Sequence, residues 1–231
     1  LKCPFILASR KLFSLNDLPE LDLDIDYQTR GKLLHKVVEL IAEKFPTLNI
    51  SDQGLDELFD QAQKSSEFKV YDADLWQSQK NRFKKMIQKY IRFEQSWRQE
   101  FPKMTEKYPE KFFQIYVDPK TGSLTTKPTD VLLRGQIDRI DVSEDSEHCV
   151  VIDYKFNSSS KKNHAAWIEQ NELQLALYSL AIESGALEKK MNVAGAVYYG
   201  FKDLDRNKGF LLEDFAGQYY KLKSQRSQEK I

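Results

Sequence analysis

Gly135-Gln136-Ile137-Asp138-Arg139-Ile140-Asp141 and Cys149-Val150-Val151-Ile152-Asp153-Tyr154-Lys155 are the two ends of the stretch that decides the fold. Each is a short apolar run of strand character, and Ser143-Glu144-Asp145-Ser146-Glu147 between them is a polar turn. The reading is two adjacent antiparallel strands. Side chains alternate faces along a strand, so Asp153 and Lys155 point one way and Tyr154 the other. Asp138, if it faces the same side, stands opposite or diagonal to that pair within cross-strand reach. Two carboxylates and an ammonium on one sheet face make a poor core. They make a good seat for a divalent cation beside a scissile phosphate. An isolated Asp-x-Lys is more often a surface ion pair; the apolar strand before each acid and the second acid nearby are what point to chemistry.

Working outward, the N-terminal side is helical. Leu33, Leu34, Val37, Val38, Ile41 and Ala42 recur at helical spacing between Thr29 and Phe45, with Pro46 after the end. A second helix is expected over Asp52–Lys64 and a long third over Asp74–Phe101. The third carries a basic face of Lys80, Arg82, Lys84, Lys85, Lys89, Arg92 and Arg98, diluted by Glu94 and Glu100. That face reads first as solvated surface and second as a track for a nucleic-acid backbone. Strand character begins at Lys111, and Pro119-Lys120-Thr121-Gly122 marks a turn.

Beyond Lys155 comes the polar loop Asn157–Asn163, which holds Lys161 and Lys162. Ala165–Glu183 reads as one helix closed by Gly185. Val193–Phe201 has strand character, and Phe210–Leu212 reads as a short edge strand. The order favours an α/β protein with a mixed sheet and a helical lobe packed against it. The expected organisation is one domain over 1–231: a mainly helical lobe over 1–108, a sheet core over 109–217 and a polar tail over 218–231. Because the chain begins with Leu1, inside patterned sequence, it reads as a piece of a longer polypeptide.

Composition bounds the function. The 231 residues balance 35 Lys+Arg against 35 Asp+Glu, so nucleic-acid binding would rest on local patches and not on a global basic field. The two cysteines, Cys3 and Cys149, offer no disulfide framework and fit a reducing, cytoplasmic compartment. No apolar run approaches a membrane span.

Further polar residues can complete a site. His35 sits beside Leu33-Leu34, where a lone histidine is more often structural, yet imidazole is a common ligand for borderline metals. Gly31 before it would clear room for a close approach. Gln174 and Tyr178 are spaced to share a helix face directly after the Asp-Tyr-Lys strand, with Gln170 one turn earlier on the same stripe. Arg139 and Asp141 point away from Asp138 and read as a structural pair.

As a set, these residues resemble the PD-(D/E)XK nuclease superfamily, and within it the RecB/AddB-type nuclease domain. The matching pieces are Cys3-Pro4-Phe5, Arg30-Gly31-Lys32-Leu33-Leu34-His35, Gly135–Asp141, Ile152-Asp153-Tyr154-Lys155 and Gln174-Leu175-Ala176-Leu177-Tyr178, in family order. The resemblance implies a restriction-endonuclease-like mixed central sheet flanked by helices. It implies metal binding by His35, Asp138, Asp153 and the Tyr154 backbone carbonyl, with Mg²⁺ or Mn²⁺ as the cofactor. Lys155 corresponds to the catalytic lysine alongside Asp138 and Asp153, and Gln174 and Tyr178 match an accessory motif; Lys161 and Lys162 are candidates for DNA contact.

The implied activity is deoxyribonuclease, in exonuclease form, acting in recombination or repair with a helicase domain or subunit as partner. A non-catalytic DNA-end-binding module of the same fold is the rival, disfavoured because the acids and lysine are kept. Some relatives hold an iron–sulfur cluster through one N-terminal and three C-terminal cysteines. Cys3 matches the first, but no cysteine follows Cys149, so no such cluster is expected within this chain. Several relatives also carry an acid on the strand before the first Asp, and Gln114 is the residue placed there by the strand assignment.

Overall fold

A helix turned toward a sheet places a histidine near the two central strands, and the pattern of buried residues explains why. The structure, a computed structural model, describes residues 27–65, 73–157, 161, 166–187, 189–206 and 208–215. Helix α1 (Tyr27–Lys44) buries Leu33, Leu34, Val37, Val38 and Ile41 on one face. Helix α2 (Asp52–Ser65) starts where the Ser51 hydroxyl accepts the Gly54 N–H at 3.0 Å, and it buries Leu55, Leu58, Phe59 and Ala62 at helical spacing. Helix α3 (Ala73–Glu100) buries Phe83, Ile87, Tyr90 and Ile91.

The basic face of α3 is partly turned inward. Lys80 meets Asp60 at 2.5 Å, and Lys84 meets both Asp52 and Asp56 at 2.8 Å, joining α3 to α2. These two lysines are engaged in packing the helices together, so the basic face loses part of its N-terminal end as a possible track. Arg98 is likewise engaged, donating to the Pro46 carbonyl and to Glu106.

Six strands follow: β1 (Met104–Val117), β2 (Leu124–Thr125), β3 (Val131–Ser143), β4 (His148–Lys155), β5 (Asn192–Gly200) and β6 (Lys208–Leu211). They form one sheet in the order β2-β1-β3-β4-β5-β6. All neighbours are antiparallel except β4 and β5, which run parallel. The expected antiparallel pair is present, with Arg139 opposite Ile152 and Val142 opposite Cys149. β1 begins at Met104, seven residues before the apolar run at Lys111 and within the segment assigned to the helical half. Its first part was hidden because it is charged: Glu106 is aimed at Arg98 and Arg139.

The sheet has a core on each face. Val150, Ile152, Tyr154, Val197 and Tyr199 pack with α1, α2 and α3, and Cys149, Val151, Ala196 and Tyr198 pack against the later helices. The single helix expected over Ala165–Glu183 is two. A one-turn α4 (Trp167–Gln170) stops at Asn171, whose φ of 55° is left-handed, and α5 (Gln174–Glu183) starts anew. Gln170 is therefore not on one stripe with Gln174, because the helix that would align them is interrupted. Gly185 follows the end of α5 at φ 88°, with its N–H on the Ile182 carbonyl, as the sequence indicated.

Candidate metal centre

Face alternation fails beside the candidate site. Tyr108 and Phe113 contribute to one core although five residues apart, and so do Ile137 and Ile140, three apart. Odd separations belong to opposite faces of a regular strand, so each strand is broken between these residues. In β1 the break contains Glu110, with φ 46°. In β3 it contains Asp138, which lies across from Glu110 between the Pro109–Arg139 and Lys111–Ile137 pairs. The strain of a left-handed glutamate is tolerated where it sends a carboxylate into a cleft.

Both acids meet α1. His35 Nδ1 lies 3.5 Å from Asp138 Oδ1 and 3.6 Å from Glu110 Oε1, and its Nε2 lies 3.1 Å from the Tyr154 carbonyl. The other carboxylate oxygen of Asp138 accepts the Tyr154 N–H at 2.6 Å. The backbone of Tyr154 is thus held by the acid at its N–H and faces the imidazole with its carbonyl. A ligand atom from each of His35, Glu110 and Asp138 falls within 4.8 Å of the others. They line a cleft of about 600 Å³ shared with Gly31, Lys32, Gln136, Lys155 and Phe156. A Cβ on Gly31 would meet nothing within 4 Å, so the room beside the histidine stays open.

Asp153 is fully buried. One of its oxygens is ion-paired with Lys155, and Oδ1 has no hydrogen-bond partner. An orphaned buried carboxylate oxygen is costly unless something cationic answers it. Burial, reinforced by Asp138 and opposed by Lys155, pushes the Asp153 carboxyl up to about 7. Burial alone would lower His35, but its contacts with Asp138 and Glu110 outweigh that and lift it to about 10. Glu110 is raised, mainly by burial and in part by Asp138, against the pull of His35. Burial is the main cause for the two acids, with Asp138 adding to it, whereas the neighbouring carboxylates are what raise the imidazole. A divalent cation fits this donor set, which is oxygen-rich with one imidazole.

Lys155 is held from the α5 side. Its ammonium donates to Gln174 Oε1 at 3.3 Å, Gln174 Nε2 donates to the Tyr178 hydroxyl at 2.8 Å, and the Tyr178 ring packs edge-on to Phe113. Gly135 makes this possible, since a Cβ there would lie 2.8 Å from the Phe113 ring. Lys161 sits 5.1 Å over the Tyr198 ring that Lys155 also covers, and it reaches Glu172 at 3.6 Å. Lys162 and Cys3-Pro4-Phe5 lie outside the described residues.

The structure therefore brings His35, Asp138, Tyr154 and Lys155 to one cleft. Asp153 lies outside the His35–Glu110–Asp138 group and is tied in through Lys155. Gln174 and Tyr178 follow behind Lys155, and Lys161 lies apart over Tyr198. The structure also corrects one position: Gln114 pairs across to Arg134, and Glu110 is the acid of β1 that meets the histidine. Glu110 was missed because its strand begins in charged sequence; an acid next to Pro109 at the edge of an apolar run was the available signal.

The sequence model of the PD-(D/E)XK nuclease superfamily matches residues 1–230. The chain belongs to this superfamily. Its mixed sheet between helices is consistent with the restriction-endonuclease-like fold, and divalent-metal-dependent nuclease chemistry is the activity that membership supports. A comparison with curated proteins gives no match. Among the described residues no helix is long and apolar enough to cross a membrane.

Proposed function

We propose that the protein is a deoxyribonuclease in which His35, Asp138, Asp153, Glu110 and the Tyr154 carbonyl hold Mg²⁺ or Mn²⁺. The observation that carries this reading is the convergence of an imidazole from α1 with carboxylates from β1 and β3 beside the buried, half-paired Asp153. Such an ion, when bound, polarises a phosphoryl oxygen and lowers the pKa of water.

The chain's own residues do the rest. Asp138 anchors the Tyr154 backbone at its N–H, next to the peptide whose carbonyl faces His35. Asp153 and Gln174 hold Lys155 from two sides, so its ammonium is already oriented where charge accumulates on the phosphoryl oxygens. Tyr178 holds Gln174 in turn. Lys32 and Lys155 at the cleft wall, with Lys161 beyond, give a phosphate backbone a local positive path in a chain with no net charge.

The resemblance to RecB/AddB-type domains supports exonuclease action in recombination or repair beside a helicase, in a reducing, cytoplasmic compartment. The test is incubation of purified protein with end-labelled single- and double-stranded DNA and RNA, with Mg²⁺, Mn²⁺ or EDTA. Metal-dependent cleavage of DNA is expected, beginning at ends. Inertness toward DNA with both metals would sink the reading.

A further inference from the structure

Beyond Glu110 and Asp138 the face of β1 and β3 on the α1 side carries exposed residues that no described element covers. Across this ribbon Phe112 pairs with Gln136, Gln114 with Arg134 and Tyr116 with Leu132. Their neighbours Phe113 and Ile115 are buried on the opposite face, whereas Phe112 is 56% exposed and Leu132 37%. Gln114, Arg134 and Gln136 are exposed as well. Phe112 is the only exposed Phe, Tyr or Trp ring among the described residues. The six residues of this face include two aromatic rings, Phe112 exposed and Tyr116 half-buried, with one guanidinium, two amides and no acid, in a chain with 35 acidic residues. Gln136 belongs at once to this face and to the cleft lining, so the two surfaces are continuous.

We propose that this ribbon is a stacking platform for single-stranded nucleic acid, carrying the strand that leads into the cleft. The proposal rests on the nuclease reading for the direction of the strand. Phe112 and Tyr116 stand about 14 Å apart along β1, at a strand rise of roughly 3.4 Å per residue. That spacing accommodates unstacked bases separated by an intervening nucleotide on a flat surface, in the manner by which sheet platforms take single strands without reading sequence. Arg134 lies on the neighbouring strand between the two ring positions, suited to a phosphate or to stacking on a base. A duplex keeps its bases stacked inside, so it cannot use the rings; the platform thus assigns a substrate class, single strands or frayed ends.

Binding of a fluorescent oligothymidylate, followed by anisotropy with Ca²⁺ in place of Mg²⁺, tests this. Phe112→Ala is expected to weaken binding at least about fivefold, and Phe112→Trp to bind as the parent does. Arg134→Ala is expected to reduce the salt slope by about one. A blunt duplex should be insensitive to the Phe112 changes. Melting temperatures of the variants, within a few degrees of the parent, control for folding.

Binding by Phe112→Ala within about twofold of the parent would overturn the platform. So would a Phe112→Leu variant that binds as well as Phe112→Trp, since that marks a merely apolar contact. Parent protein that self-associates in sedimentation, and ceases to on Phe112→Ala, would instead make the face an interface between two copies and overturn the proposal. The two readings fail separately. Parent protein that binds the oligonucleotide through Phe112 but cleaves nothing with Mg²⁺ or Mn²⁺ supports the platform and removes the nuclease. Cleavage with Phe112-independent binding does the reverse.

Discussion

Two clusters of acids share one residue, Tyr154, and differ in how their charge is answered. On the α3 side of the sheet the Tyr154 hydroxyl meets Tyr90 at 2.9 Å and Arg139 at 3.2 Å. Arg139 forks onto Asp141 at 2.6 and 2.9 Å and reaches Glu94 at 2.7 Å, while Arg206 contacts Glu94 and Arg98 holds Glu106 at 2.9 Å. Three carboxylates there face three guanidiniums. In the cleft, the Tyr154 backbone meets Asp138 through its N–H and His35 through its carbonyl, and Glu110, Asp138 and Asp153 face a single lysine and that imidazole. Burial is common to both regions. Charge balance separates them: the balanced cluster is structural, and the acid-rich one is the metal site proposed above.

The largest expected effect breaks the balanced side. Arg139→Met should cost about 3–5 kcal/mol in urea unfolding, because it strands buried carboxylates and removes a donor from the Tyr154 hydroxyl. A loss below about 1 kcal/mol would mean that the cluster is not the sealed counterpart described here. Glu110→Gln in metal-free protein should be neutral or stabilising, since it removes an acid already in excess.

Next in size, Lys155→Ala should retain Mn²⁺ and DNA binding but lose cleavage by about a hundred- to a thousandfold, or roughly 3–4 kcal/mol of barrier. Near-parental single-turnover rates would remove the lysine from its role. Asp153→Asn should instead weaken Mn²⁺ binding itself, read by calorimetric titration. Mn²⁺ at a hundred times its Kd should stabilise the parent by about 2.7 kcal/mol, and an Asp138→Asn protein by far less. Equal stabilisation of both would place the ion elsewhere.

The smallest effect is a pH slope, and its sign distinguishes the two states of the site. In EDTA, Asp153 is raised to about 7 from its ordinary 3.8, so its folded form prefers the proton and stability falls as pH climbs through that window. His35 is raised to about 10 from 6.5, so its contribution is complete below 6.5 and is lost as pH rises toward 10. Melting temperature in EDTA should therefore decline from about pH 4 upward, and saturating Mn²⁺ should flatten the decline by displacing those protons. A flat profile in EDTA would show that the carboxylates are not crowded.

Much of the protein was legible in its sequence. Leu33, Leu34, Val37, Val38 and Ile41 marked α1 by period, and Gly135–Lys155 marked the central hairpin by two apolar runs around a polar turn. Gly185 marked the end of α5. Asp153 and Lys155 were tied by strand alternation alone. What was not legible lies where local pattern and three-dimensional placement disagree. The start of β1 is charged because its side chains answer arginines on α3 and β3, far away in the chain. The left-handed turn at Asn171 divides a run that is apolar enough to read as a single helix. Lys80 and Lys84 look like surface cations until α2 supplies Asp52, Asp56 and Asp60.

Sequence by itself determined the element types, the hairpin and the identity of most residues at the site, because hydrophobic period and face alternation are local properties of the chain. Only the tertiary structure decided that Glu110, and not Gln114, joins His35 and Asp138, since that choice depends on a break in alternation matched between two strands. It alone decided which acids are neutralised, because the compensating charges come from elements distant in the chain and are set by packing, not by spacing.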